Sequence, residues 1–137
     1  FGVDRYLPRN ALRLLVDQDG NDYAQDLAAD QYAALLENIE PEVALQLIDR
    51  TRATLKQQVQ KLEETASQRV GQLRASSVAA MHTALDSELG RLLALKKRNP
   101  TIRDEEIQQL QTRIAELEKH LQSSSLKLSA LRVIYTR

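Results

Sequence analysis

Cysteine is absent from the 137 residues, which excludes disulfides, thiolate metal ligands and a cysteine nucleophile. That absence fits a reducing compartment, so a cytoplasmic location is expected. Tryptophan is also missing, and one Phe and four Tyr are the only other large aromatics, so any core must come from Leu, Ala, Val and Ile. Such side chains suit helix seams. Only four glycines occur, and no phosphate-binding loop, dinucleotide fingerprint or Gly-x-Ser-x-Gly elbow is present. Neither sign of charge prevails: 19 basic and 19 acidic side chains cancel, so no global field holds DNA, RNA or anionic lipid, and any nucleic-acid contact has to be local and weak. No apolar run approaches the roughly 20 residues of a membrane-spanning helix, and no signal-peptide pattern opens the chain, so no membrane partner is expected. Phe1 in place of an initiator methionine suggests a piece of something longer. The length suits a single domain, 1–137.

What is present divides into segments. Residues 1–29 read as strand and turns: Gly2, Pro8 and Gly20 punctuate them, and Leu12, Leu14 and Val16 share one face of a strand before the turn-rich Asp17 to Asp22. A short helix is expected over 30–39, with Asp30 as N-cap accepting from the amides of Tyr32 or Ala33. Pro41 belongs at the first position of a long helix, 41–98, with Glu42 at the positive end of its dipole. Leu55, Val59, Leu62, Ala66, Val70, Leu73, Ser77, Met81, Leu85, Leu89 and Leu92 then recur at three- or four-residue steps. No proline interrupts this run, although Gly71 allows a bend, and unbroken it is on the order of 85 Å long.

Lys96, Lys97 and Arg98 suit the carbonyl end, Asn99 can take a left-handed C′ conformation, and Pro100 forbids continuation. Thr101, with Asp104 three residues on and Glu105 and Glu106 behind it, reads as the cap of a return helix, 101–123. The apolar positions Ile107, Leu110, Ile114, Leu117 and Leu121 form the seam of an antiparallel hairpin, with Leu85, Leu89, Leu92 and Leu93 as expected partners. Val133, Ile134, Tyr135 and Thr136 favour a terminal strand over 126–136, and pairing it with residues 12–16 would satisfy both backbones. The expected fold is mostly α (α+β): a long helix and a return helix in an antiparallel hairpin, a short helix, and a small antiparallel sheet joining the terminal strands.

Candidate sites are few, and no catalytic, cofactor-binding or metal residue is assigned. His82 and His120 lack metal-ligand spacing and read as ordinary helix residues; the hairpin can bring them near one another, and a metal titration separates a surface metal pair from that reading. Asp17-x-Asp19-Gly20 resembles the start of a calcium loop, but the glycine is fourth rather than sixth and position twelve is Ala28, so a turn is favoured. Lys96, Lys97 and Arg98, with Arg91 and Arg103 close in sequence, make the hairpin tip the most basic point. Stabilisation of a helix C-terminus accounts for such cations, and contact with phosphate or an acidic protein surface is the alternative. The small residues over 74–80 either admit a close neighbour or form an exposed run of good helix formers.

Several segments together carry a resemblance: Arg5-Tyr6-Leu7-Pro8; Leu12-Arg13-Leu14-Leu15-Val16-Asp17 with Gly20-Asn21; Leu92-Leu93-Ala94-Leu95-Lys96; Asn99-Pro100-Thr101-Ile102-Arg103-Asp104-Glu105-Glu106; and Leu126-Lys127-Leu128-Ser129-Ala130-Leu131-Arg132-Val133-Ile134. In this order they resemble the C-terminal domain of the RapA family of bacterial RNA polymerase-associated proteins, ATPases of the Swi2/Snf2 class. The resemblance implies a large ATP-driven parent that binds core RNA polymerase, acts on stalled or post-termination complexes and promotes polymerase recycling. It places ATP and Mg in motor lobes outside this fragment, so no catalytic residue carries over. It also implies a cytoplasmic, nucleoid-associated location, and contacts with polymerase and with the parent's own motor lobes. Asn99, Pro100 and Arg103 match as a stop, a break and a tip residue, whereas Lys97 and Arg98 depart from the family pattern. The competing hypothesis is a self-associating coiled coil, a homodimer through Leu55, Val59, Leu62, Ala66, Val70 and Leu73.

Overall fold

A long run without proline and with helical periodicity forms the longest element of the protein. The computed structural model describes residues 2–136, among which lie α1 (Val3–Tyr6), α2 (Ala29–Ala33), α3 (Pro41–Arg98) and α4 (Asp104–Gln122). Helix α3 has 58 residues and passes through Gly71 without interruption. Glu40 accepts the amide of Ala44, and Pro41 with Glu42 occupies the first turn, where a missing amide hydrogen is harmless and a carboxylate meets the positive end of the dipole. Polar side chains within α3 turn back onto its backbone: Thr83 donates to the Ala79 carbonyl and Ser87 to that of Thr83. The chain divides into two compact units, one taking residues up to Asn10 together with those from Val70 onward, the other Ala11–Arg69.

The first unit holds the core. Met81 and Leu85 of α3 pack with Ile114, Leu117 and Leu121 of α4, and Val3, Tyr6, Leu7, Val78, Leu89 and Leu110 close around them. The antiparallel hairpin expected from the seam is therefore formed, with its contact centred on Met81 and Leu85. Leu92 is half-buried and Leu93 is 43% exposed. Neighbouring helical residues point about 100° apart, so only one of the two can stay on the seam. Helix α1, in a segment expected to be extended, lays Val3, Tyr6 and Leu7 on this core. Gly2 starts it in the left-handed region at φ 86°.

The turn between the helices departs from expectation in two details. Asn99 is not left-handed, since no residue other than glycine has positive φ among those described. Its side-chain oxygen instead accepts both the amide and the hydroxyl of Thr101, at 3.1 and 2.7 Å, making an Asx-type turn. The Thr101 hydroxyl donates to Asn99 and stands two residues before the N-cap of α4, where it accepts no amide of that helix among the described residues. The N-cap position falls to Arg103, which is extended and provides no side-chain bond. Asp104, Glu105 and Glu106 still meet the positive end of the dipole, and Lys96 pairs with Asp104 across the turn. At the other end of α4, Arg74 donates to the Ser124 hydroxyl and carbonyl.

The second unit carries residues 11–28 as a hairpin-like loop. Tyr23 donates its amide to Leu15, and a single antiparallel bridge joins Val16 and Asp22. Gly20, at φ 87°, follows a turn through Gln18 and Asp19, which gives the left-handed residue that three-residue hairpin loops use. The expected strand at 12–16 thus becomes one arm of a local loop. The Asp22 carboxylate takes the Leu15 amide that a longer ladder would use, and the pairing ends there. The expected terminal strand at 126–136 does not form: residues 124–136 run without helix, turn or bend, and no sheet occurs among the described residues. The short helix is α2, Ala29–Ala33 rather than 30–39. Gln31 reaches back to the Ala28 amide, so the helix starts before Asp30, and one turn later the Leu36 amide closes on Ala33.

Candidate functional site

Five cations mark the far end of the hairpin. Lys96, Lys97 and Arg98 end α3, where positive charge stabilises the free carbonyls, and Arg103 precedes α4. Arg91 and Arg98 stand seven residues, two turns, apart and so share one face of α3. Lys96 is half-buried and engaged by Asp104, which removes it from the set available to a ligand. Arg91, Lys97, Arg98 and Arg103 are exposed, and none makes an ion pair or side-chain hydrogen bond among the described residues. Asp104, Glu105 and Glu106 adjoin them at the start of α4. Three carboxylates beside four cations make a mixed-charge end, suited to a protein surface with charges of both signs. A polyanion gains little there, because its phosphates meet the carboxylates as well.

A second constellation joins the two helices. His82 Nδ1 lies 3.0 Å from Asp86 Oδ2, four residues on along α3, and its Nε2 lies 3.2 Å from Glu118 Oε2 on α4. Partial burial opposes the charged ring, but hydrogen bonds from it to Asp86 and Glu118, together with their charge, raise its pKa above the ordinary 6.5. Protonated, the ring donates to both carboxylates and clamps α3 to α4. Both ring nitrogens are therefore occupied by carboxylates of the hairpin, not directed at a second histidine. Asp86 was open to sequence reasoning as the i+4 neighbour of His82, whereas Glu118 emerges only once the register of the hairpin is known. No group of three or more His, Cys, Asp or Glu side chains converges to hold a metal among the described residues.

The acidic turn is closed by its own chain. Hydrogen bonds from the Asn21 side chain and amide lead the effects that lower the Asp17 pKa to about 2. Desolvation opposes them, and the Tyr23 hydroxyl and the Asp19 amide add to the lowering. Asp22 is held below the usual carboxylate range: burial pushes it up, but the Ala24 and Leu15 amides and Arg69 outweigh that. Both carboxylates serve the loop, and Arg69 ties the loop to α3 within the second unit. Of the small residues over 74–80, Ser77 is buried and Val78 packs on the core, while Ala75, Ser76, Ala79 and Ala80 are exposed.

Residues 1–136 match the family described as RNA polymerase recycling family C-terminal. The RNA polymerase-associated protein RapA of Vibrio cholerae serotype O1 (strain M66-2) is 33% identical over 133 residues, covering 97% of this chain and 14% of that protein. The protein of the same name from Vibrio vulnificus (strain YJ016) is 31% identical over 133 residues, with the same coverage. The chain thus spans 14% of the length of these curated relatives.

Proposed function

The chain belongs to the C-terminal part of the RNA polymerase recycling family, and on that premise we propose that it is the non-catalytic accessory domain of a larger, RapA-like, polymerase-associated factor. The parent, in this reading, is an ATP-dependent protein of the Swi2/Snf2 class whose nucleotide and Mg sites lie in motor lobes elsewhere, and which promotes polymerase recycling in the bacterial cytoplasm. The domain contributes a docking arm directed at core polymerase or at the parent's own motor lobes.

The observation that carries this reading is the hairpin end itself. A long and a short helix are locked by a common core, and Arg91, Lys97, Arg98 and Arg103 stand exposed beyond it. A rigid element ending in mixed charge orients a partner and speeds encounter more than it adds affinity. The test is a pull-down of core polymerase by the full parent, by the parent lacking this domain, and by the parent carrying Lys97→Glu with Arg98→Glu. Deletion should abolish or strongly weaken capture, and charge reversal should weaken it most at low salt. Undiminished capture without the domain would count against a docking role.

One observation favours self-association as a second reading. Ile48, Leu55 and Val59 line an open apolar hollow on α3, at the proximal end of the seam. Light scattering separates the two: a monomer at tens of micromolar leaves the coiled-coil homodimer without support.

A further inference from the structure

Residues 125–134 follow α4 without helix, turn or bend, and none of their backbone groups makes a hydrogen bond among the described residues. Their side chains do not suit that state. Leu126, Leu128, Leu131, Val133 and Ile134 are all exposed, Leu128 by 81%. Leu131 and Val133 fall on one face of an extended chain, and Ala130, Arg132 and Ile134 on the other, the pattern of a strand with one apolar face and one that carries a single charge. No proline or glycine occurs between Thr101 and the end of the chain, so every amide here can donate to a ladder. A disordered linker would be polar and rich in glycine, proline or like charges, and this segment is none of these.

We propose that residues 125–134 form a strand added to the edge of a sheet in the remainder of the parent chain. This rests on the reading that a RapA-like parent exists. The matched region is 14% of the length of the relatives, and a parent of that size has ample chain outside this domain to supply a sheet edge. A tethered edge meets the segment at an effective concentration in roughly the millimolar range, whereas a second copy has to pay for lost translational freedom. The edge it fits offers apolar side chains opposite Leu131 and Val133, and a carboxylate opposite Arg132, since directly opposed charges of unlike sign stabilise a strand pair.

Amide hydrogen exchange on the full-length parent tests this. Residues 127–134 should exchange at least about 100-fold more slowly than an unstructured peptide. In the variant Val133→Pro, which removes one ladder donor, that protection should fall together with protection of a strand outside this domain. Fast exchange at 127–134 in the unaltered parent overturns the proposal without any variant. Loss of protection shared with residues 12–16 instead assigns the strand to its own domain, and protection that varies with protein concentration assigns it to a second copy; either result overturns it. Polymerase capture is measured on the same samples. A parent that keeps the protection and fails to bind polymerase contradicts the docking function and leaves the strand proposal standing.

Discussion

Among the described residues, Leu117, Leu121 and Met81 are the large side chains fully withdrawn from solvent, and all three belong to the α3–α4 contact. Leu117→Ala should therefore destabilise the hairpin by about 2–5 kcal/mol, the range for a buried leucine that leaves a cavity, as measured by urea unfolding of the α-helical signal. His82 predicts a pH dependence. Its pKa is raised in the folded state by Asp86 on its own helix and Glu118 on the facing one, and Gln122 in turn donates to Glu118. A raised value means the stabilisation is fully present below the unfolded pKa of 6.5 and is lost as pH rises through the higher folded value. The melting temperature should fall between pH 6 and pH 8 in the natural sequence and stay flatter in His82→Gln. Because the ring is about a third exposed, the difference should stay within about 1 kcal/mol. A flat profile in both proteins would remove the clamp from the account.

Elements differ in how much of them their own residues specify. Helix α3 was legible because helical spacing persists between two prolines, and α4 because Ile107, Leu110, Ile114, Leu117 and Leu121 repeat on one face. Helix α1 was not: Val3, Tyr6 and Leu7 have helical spacing, but three positions are too few to stand out, and the core they cover is made by distant residues. The sheet failed for the opposite reason. Residues 12–16 and 126–136 have strand-favouring side chains, but a strand exists only with a partner, and for 12–16 the nearest acceptors belong to its own loop. That loop depends on Gly20, which is left-handed and whose added Cβ would come within 3.1 Å of Lys61. Gly20→Ala should destabilise the loop by about 1–2 kcal/mol through backbone strain, with lysine able to shift aside. Faster amide exchange at Asn21 and Tyr23, with α4 unaffected, is the expected readout; unchanged exchange would show that the glycine is dispensable.

Across the molecule, an aliphatic composition with helical spacing foretold a mostly helical fold, and the hairpin end proves to carry side chains of both charge signs. The basic residues themselves were legible, but not that Asp104 would engage Lys96, because that pairing depends on how the turn folds. Burial is uneven as well. None of the described residues between 11 and 69 is fully buried, while Leu35, Ile39, Val43, Leu45 and Ile48 are exposed. Exposed apolar side chains gathered in one stretch mark a surface suited to contact with another protein surface. If the proposed docking on polymerase holds, equilibrium binding of core RNA polymerase to the parent with and without this domain reads it out. Removal should then lower the affinity at least about ten-fold, a difference of about 1.4 kcal/mol. Equal affinities in the two proteins would contradict it.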